Sequence, residues 1–145
     1  MDLKAELVKR LNIAEDRVAC VRPRRVSCEV EYNRFAEAFR VVTLELKFNV
    51  LCAITGLDEG QNLSVVYHLA KDDGTVLNLK TSVDKNNPVI RTITDSFSSA
   101  EVYERELVDL LGFKVEGLSK GNRYPLTDDW PKDEYPLRKD WKPKV

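Results

Sequence analysis

The stretch Leu63-Ser-Val-Val-Tyr-His-Leu-Ala-Lys-Asp-Asp-Gly-Thr-Val-Leu-Asn-Leu-Lys-Thr-Ser-Val83 carries the clearest strand signal in the sequence. Leu63, Val65, Tyr67 and Leu69 recur at every second position, the period at which side chains return to one face of a strand. Asp72-Asp73-Gly74 follows, a turn sequence whose glycine tolerates positive φ, and Val76 to Val83 then alternates back. This predicts an antiparallel hairpin with one buried face. His68, the only histidine, falls on the opposite face from Leu63, Val65 and Tyr67.

Upstream, Asn49 to Thr55 reads as a largely apolar strand ended by Gly56 and the Asp58-Glu59-Gly60 turn. Asn33 is placed to cap a helix whose Phe35, Ala38, Phe39, Val42 and Leu46 form one stripe, although Leu44, Leu46 and Phe48 also alternate as in a strand. Earlier still, Arg17 to Val21 is a strand candidate, Pro23 interrupts, and Val26, Cys28 and Val30 alternate with polar residues. Leu3, Leu7, Val8 and Leu11 behind Asp2 predict a short amphipathic helix that Asn12 ends.

Downstream, Asp84 to Pro88 forms a turn, and Val89 to Phe97 reads as an irregular or single-turn link. Ser98 to Phe113 then predicts a helix, with Ser98 or Ser99 as N-cap, Glu101 in the first turn and Gly112 just past its end. Ala100, Tyr103, Leu107, Leu110 and Leu111 share its core face, while Glu101, Arg105 and Asp109 line the opposite one at i, i+4 spacing. Beyond Gly117 no hydrophobic period remains. The tail holds both tryptophans and four of the six prolines, which predicts an extended strap. The fold class is α+β: a mixed, mostly antiparallel sheet of about four to five strands, helices packed on it, and an extended C-terminal strap. Residues 1–124 form the body of a single domain and residues 125–145 a docking tail.

At 145 residues the protein suffices for one core, and 43% hydrophobic with 32% charged residues is an ordinary globular composition. A formal net charge of −1 provides no basic field for nucleic acid or an anionic membrane. The first residues lack an apolar h-region, and the longest apolar run, Val50 to Ile54, is too short to span a bilayer. The expectation is a cytoplasmic protein that meets a membrane only through partners. Three isolated cysteines, Cys20, Cys28 and Cys52, suit reduced thiols better than a disulfide framework.

Chemistry is hard to find in this sequence. No C-x-x-C pair offers a start to a zinc or iron–sulfur site, so no metal is expected, and neither phosphate-binding glycine pattern occurs. His68 reads as a packed or solvent-facing strand residue, and no signature supports pairing it with Cys28 or Cys52 as a nucleophile. Glu101, Glu104, Glu106 and Asp109 resemble a solvated ion-pair ladder around Arg105, most of them facing outward. No catalytic, cofactor or metal residue is assigned.

Tyr103-Glu-Arg-Glu-Leu-Val-Asp-Leu-Leu-Gly-Phe113, Gly117, Leu126-Thr-Asp-Asp-Trp130 and Pro136-Leu-Arg-Lys-Asp140 occur in order. Together they resemble the signature of the thirty-kilodalton subunit of proton-pumping NADH:quinone oxidoreductase and its counterpart in membrane-bound, energy-converting nickel–iron hydrogenases. The resemblance extends upstream through Leu63 to Leu69 and Leu51-Cys-Ala-Ile-Thr55, covering roughly residues 45 to 141. It implies a subunit with no cofactor or catalytic residue of its own, in the hydrophilic arm of the complex. It further implies docking on the hydrogenase-large-subunit-like chain, beside the protein that carries the terminal iron–sulfur cluster, at the inner face of the cell membrane. By position, the docking motif comprises Tyr103, Glu104, Arg105, Glu106, Asp109, Gly112, Gly117, Asp128, Asp129, Trp130, Pro136, Leu137, Arg138, Lys139 and Asp140. Val102 stands where members usually carry Trp, and Gly117-Leu118-Ser119 where Gly-His-Pro is frequent. Both departures lean toward the hydrogenase-type or archaeal branches, and the choice between dehydrogenase and hydrogenase stays open.

Two functions compete: a structural and assembly subunit of such an oxidoreductase, and a free-standing binding module or enzyme that uses the carboxylate-rich helix 98–111. The strap separates them, since aromatic and arginine anchors on a proline-rich tail suit docking. A strap that folds back on its own domain, with Arg138 paired to Glu104, Glu106 or Asp109, is the internal alternative.

Overall fold

A computed structural model describes residues 2–144. Among the described residues there are three α-helices: α1 (Leu3–Leu11), α2 (Phe35–Arg40) and α3 (Ala100–Leu111). Seven strands accompany them: β1 (Val18–Arg22), β2 (Arg25–Glu29), β3 (Val50–Asp58), β4 (Asn62–Ala70), β5 (Val76–Asp84), β6 (Val89–Arg91) and β7 (Lys114–Glu116). The first five form one sheet in the order β1-β2-β5-β4-β3, and β6 and β7 form a separate pair. The sheet is mixed. β1 and β2 are antiparallel with Val18 opposite Cys28, whereas β2 and β5 are parallel with Cys28 beside Leu79. β3, β4 and β5 follow one another through tight turns, closed by Glu59 N–H to Asn62 O at 2.9 Å and Lys71 N–H to Thr75 O at 2.9 Å. The α+β fold class expected from the sequence is the one observed. Packing divides the molecule into two compact units, Met1–Ala53 with Val66–Ser82, and Ile54–Val65 with Val83–Val145.

In the first unit, Asp2 caps α1 by accepting from the Lys4 amide, and Asn12 ends it in the left-handed conformation. The guanidinium of Arg34 donates to the carbonyls of Leu11 and Asn12 at 2.6 and 3.1 Å, placing a cation where the helix dipole is negative. Phe35 and Phe39 of α2 bury against Tyr67 of β4, with ring centroids 4.8 and 6.2 Å from it. The expected cap at Asn33 is not formed: Asn33 lies in a 3₁₀ turn, Tyr32–Arg34, and Arg34 precedes the helix. α2 then widens into a π turn, Val41–Glu45, in which Leu46 N–H donates to Val41 O. Leu46 and Phe48 are buried while Leu44 is exposed, so their alternation reflects this turn and the chain reversal at Lys47, φ 63°.

In the second unit, β3 does not stop at Gly56 but continues to Asp58. Gly56 is there for packing, because a Cβ would overlap the side chains of Leu107 and Leu111 of α3. Val89 to Arg91, expected to be irregular, is strand β6, paired in parallel with β7. The helix runs from Ala100 to Leu111 with Gly112 at φ 78° closing it as expected, but Ser99 at its start makes no side-chain capping bond. Its core face holds Ala100, Leu107 and Leu111, but Glu104 and Asp109 are buried as well. That overturns the reading of a solvated carboxylate ladder.

Candidate functional site

The motif residues converge on α3, on the loop after β7 and on the tail, all within the second unit. Glu104 is fully buried. Its Oε1 accepts from the Ile93 amide at 2.7 Å and its Oε2 from the Thr92 hydroxyl at 2.5 Å, so it ties α3 to the end of β6. Burial raises its carboxyl above the usual range and the Glu101 carboxylate adds to this, while the bonds from Thr92 and Ile93 oppose it. Asp109, 5% exposed, accepts from Arg123 Nε at 2.6 Å and the Leu126 amide at 2.7 Å. Arg123 continues to the Trp130 carbonyl at 2.7 Å, and the Trp130 indole donates to Glu134 O and lies against Trp141 at 5.8 Å.

Arg105 bonds Glu101 at 2.8 Å and the Ser119 carbonyl at 2.7 Å, and holds the Glu101 carboxyl below its ordinary range, with the Ser119 hydroxyl helping. Gly117 has φ 82°, where a side chain would also press on Thr92. A Cβ at Gly112 would strike Tyr135 and Arg138, so this glycine both ends the helix and admits the tail.

The tail completes the helix end. Its Leu137 amide donates to Leu110 O at 3.0 Å and Arg138 Nε donates to Leu111 O at 2.6 Å, satisfying two carbonyls that α3 itself leaves open. The Arg138 guanidinium also covers the Tyr135 ring at 4.8 Å. The tail thus packs back on its own unit, but Arg138 bonds a carbonyl there; of the carboxylates suggested for it, Asp109 is engaged by Arg123 and Glu104 by Thr92 and Ile93. Tyr103, Glu106 and Pro136 are partly exposed, and Asp128, Asp129, Leu137, Lys139 and Asp140 are exposed.

Sequence reasoning misses Asp58. Its side chain is 1% exposed and accepts from Lys85 Nζ at 2.7 Å, the Lys139 amide at 2.8 Å and the Gly60 amide at 2.9 Å. Burial works against its charge, but these three donors prevail and hold the carboxyl down at about 2. Lys85 also reaches Asp140 at 3.3 Å. No local pattern announces such a residue, because Lys139 lies 81 positions away. Arg123 is equally silent in the sequence, its role being visible only once Asp109 is known to be buried.

Elsewhere, burial pushes the Cys28 thiol up to about 12 with help from Glu29, and His68 Nδ1 lies 2.7 Å from Asn78 Oδ1. None of the three cysteines is in a disulfide. Among the described residues no group of three or more His, Cys, Asp or Glu is placed to hold a metal ion, and no helix is long and apolar enough to cross a membrane.

Residues 28–144 match the family model described as respiratory-chain NADH dehydrogenase, 30 Kd subunit. A subunit of the F(420)H(2) dehydrogenase of Methanosarcina mazei is 32% identical over 122 residues, 82% of this chain and 77% of that protein. A subunit of the NADH-quinone oxidoreductase of Moorella thermoacetica is 32% identical over 114 residues, 74% of this chain and 76% of that protein. Among solved structures, a chain of the membrane-bound sulfane sulfur reductase, an archaeal respiratory membrane complex, superposes with a TM-score of 0.83 at 27% identity, covering 97% of this chain and 84% of that one. The family match over residues 28–144, the relatives' similarity over most of their length and the common α+β fold agree, and the chain belongs to the family of the respiratory-chain NADH dehydrogenase 30 kDa subunit.

Proposed function

We propose that this chain is a non-catalytic structural and assembly subunit in the hydrophilic arm of a complex-I-like, membrane-bound oxidoreductase. It docks on the hydrogenase-large-subunit-like chain, beside the iron–sulfur protein, and meets the cytoplasmic face of the membrane only through that complex. The observation that carries the reading is the tail: its backbone is stitched to α3 and Asp58, yet it displays Leu137, 56% exposed, and Tyr124, 47% exposed. Val102 and Val108 add exposed apolar surface on α3 itself. A segment ordered in advance loses little conformational freedom on binding, so more of its contact energy appears as affinity. Tyr103, Glu106, Asp128, Asp129, Leu137, Lys139 and Asp140 face the partner in this reading. Glu104, Arg105, Asp109, Gly112, Gly117, Trp130, Pro136 and Arg138 shape that surface from behind.

The rival reading, a free-standing enzyme built on helix 98–111, loses its best carboxylates, since Glu104 and Asp109 are engaged in internal bonds. Affinity purification of the tagged full-length protein from its native source, with mass spectrometry of the proteins that accompany it, tests the proposal. Recovery of hydrogenase-large-subunit-like and iron–sulfur proteins in near-equal amounts is the expected result. Recovery of the tagged protein alone would refute it.

A further inference from the structure

Between α3, the loop after β7 and the Lys132–Tyr135 turn lies an open concavity of about 390 Å³, within the range of sites that hold a small group. Two arginines line it in a particular way. Arg105 places Nη2 alone in its bonds to Glu101 and Ser119, and Arg123 uses Nε for Asp109 and Nη1 for Trp130 O. The remaining N–H groups, Nε and Nη1 of Arg105 and Nη2 of Arg123, make no hydrogen bond among the described residues. Neither are they sealed from solvent, for the buried polar atoms without a partner lie elsewhere. The side chains of Arg105 and Arg123 are 16% and 23% exposed, and both line the concavity.

Exposed Lys132 adds a third cation at the rim, and Val108, Leu118 and Tyr124 provide apolar wall. Glu101 is paired with Arg105 and Asp109 with Arg123, so beyond those two ion pairs the lining adds one cation, Lys132, and one carboxylate, Asp133. The open guanidinium N–H groups beside an apolar wall suit a planar oxygen acceptor on an apolar stem, and a carboxylate is the acceptor that matches a guanidinium fork. A doubly charged phosphate meets the same cations but also the two aspartates, and gains nothing from the apolar wall.

We propose that this concavity receives the carboxylate of one glutamate or aspartate side chain on the partner protein. The carboxylate bonds the open N–H groups of Arg105 and Arg123, and its aliphatic stem lies on Val108 and Tyr124. Planar guanidinium forks suit a carboxylate, and partly desolvated ones are the stronger for it. A Cβ at Gly121 would come within 2.6 Å of Arg105 Nη2, so a side chain there would shift the guanidinium from this position. The inference rests on the assembly reading for the identity of its partner, but the pocket's preference is measurable on the isolated protein.

The test is a titration of the isotope-labelled full-length protein, followed by amide chemical shifts, with N-acetyl-glutamate N-methylamide and with its glutamine counterpart. The glutamyl probe should shift the amides of Gly121, Asn122, Arg123 and Tyr124 saturably and bind about tenfold more tightly than the glutaminyl one. Lys132→Glu, on an exposed side chain that leaves the fold intact, should abolish the difference. Equal binding of the two probes, shifts that never saturate, or a preference that survives in a folded Lys132→Glu variant would each overturn the proposal. These outcomes leave the assembly reading untouched, since it is judged by co-purification. A protein that prefers the glutamyl probe yet co-purifies with no oxidoreductase subunit supports the pocket and contradicts the assembly reading.

Discussion

Asp58 gathers Lys85, Gly60 and the Lys139 amide around a carboxylate that is almost out of solvent, and its low folded pKa makes it a source of stability. A drop from the ordinary value of 3.8 to about 2 corresponds to about 2 kcal/mol. Because the folded pKa is the lower one, this contribution is complete above about pH 4 and is lost as pH falls toward about 2. Asp58→Asn should therefore flatten the acid limb of a urea-unfolding series measured over that window, and an unchanged limb would remove Asp58 from the account. Glu104 has the opposite sign. Its folded pKa is raised by burial, so its contribution is present below the unfolded value and declines as pH rises through the folded one. Glu104→Gln keeps an acceptor for the Ile93 amide and carries no charge, so the variant should lack that decline. Glu104→Ala leaves the Ile93 amide without its acceptor and Thr92 with its Thr94 bonds alone, and should cost about 1–3 kcal/mol at neutral pH. Chemical denaturation across pH separates the two variants.

At the level of elements, α3 is the piece whose apolar face closes the second unit. Leu107 is 3% exposed and, with Leu111, packs so closely on β3 that position 56 must be glycine. Leu107→Ala should lower stability by about 2–5 kcal/mol, against about 0.5–1 kcal/mol for Lys71→Ala, which loses only its place over the Phe48 ring at 4.7 Å. Equal urea midpoints for the two would place the core on the wrong face. The elements that can be read from the sequence are those whose signal is local: α1 between Asp2 and Asn12, the β4–β5 hairpin around its Asp-Gly turn, and α3 ended by Gly112. β6 escapes because three residues are too few to show alternation, and its parallel partner Lys114–Glu116 is fixed across the whole of α3. Gly56 reads as a stop because a sequence does not tell a breaker from a glycine that makes room for another element. Glu104 and Asp109 read as surface charges because only distant donors, Thr92, Ile93, Arg123 and Leu126, make their burial tolerable.

For the whole molecule, under the proposed docking role, the motif divides into residues that build a surface and residues that present it. Arg138 belongs to the first group, and Arg138→Ala should lower the melting temperature of the isolated protein, since it strips Leu111 O of its donor and Tyr135 of its cation, a loss of about 1–3 kcal/mol. Leu137 belongs to the second: its amide caps Leu110, but the residue is 56% exposed. The central claim, that this ordered tail is a docking face, is tested most directly by the amount of hydrogenase-large-subunit-like protein recovered with a tagged Leu137→Asp variant from the native source. The expected result is a melting temperature equal to that of the parent protein and a recovery at least about tenfold lower, because a charge is desolvated against an apolar partner surface. Recovery at the level of the parent protein would contradict it.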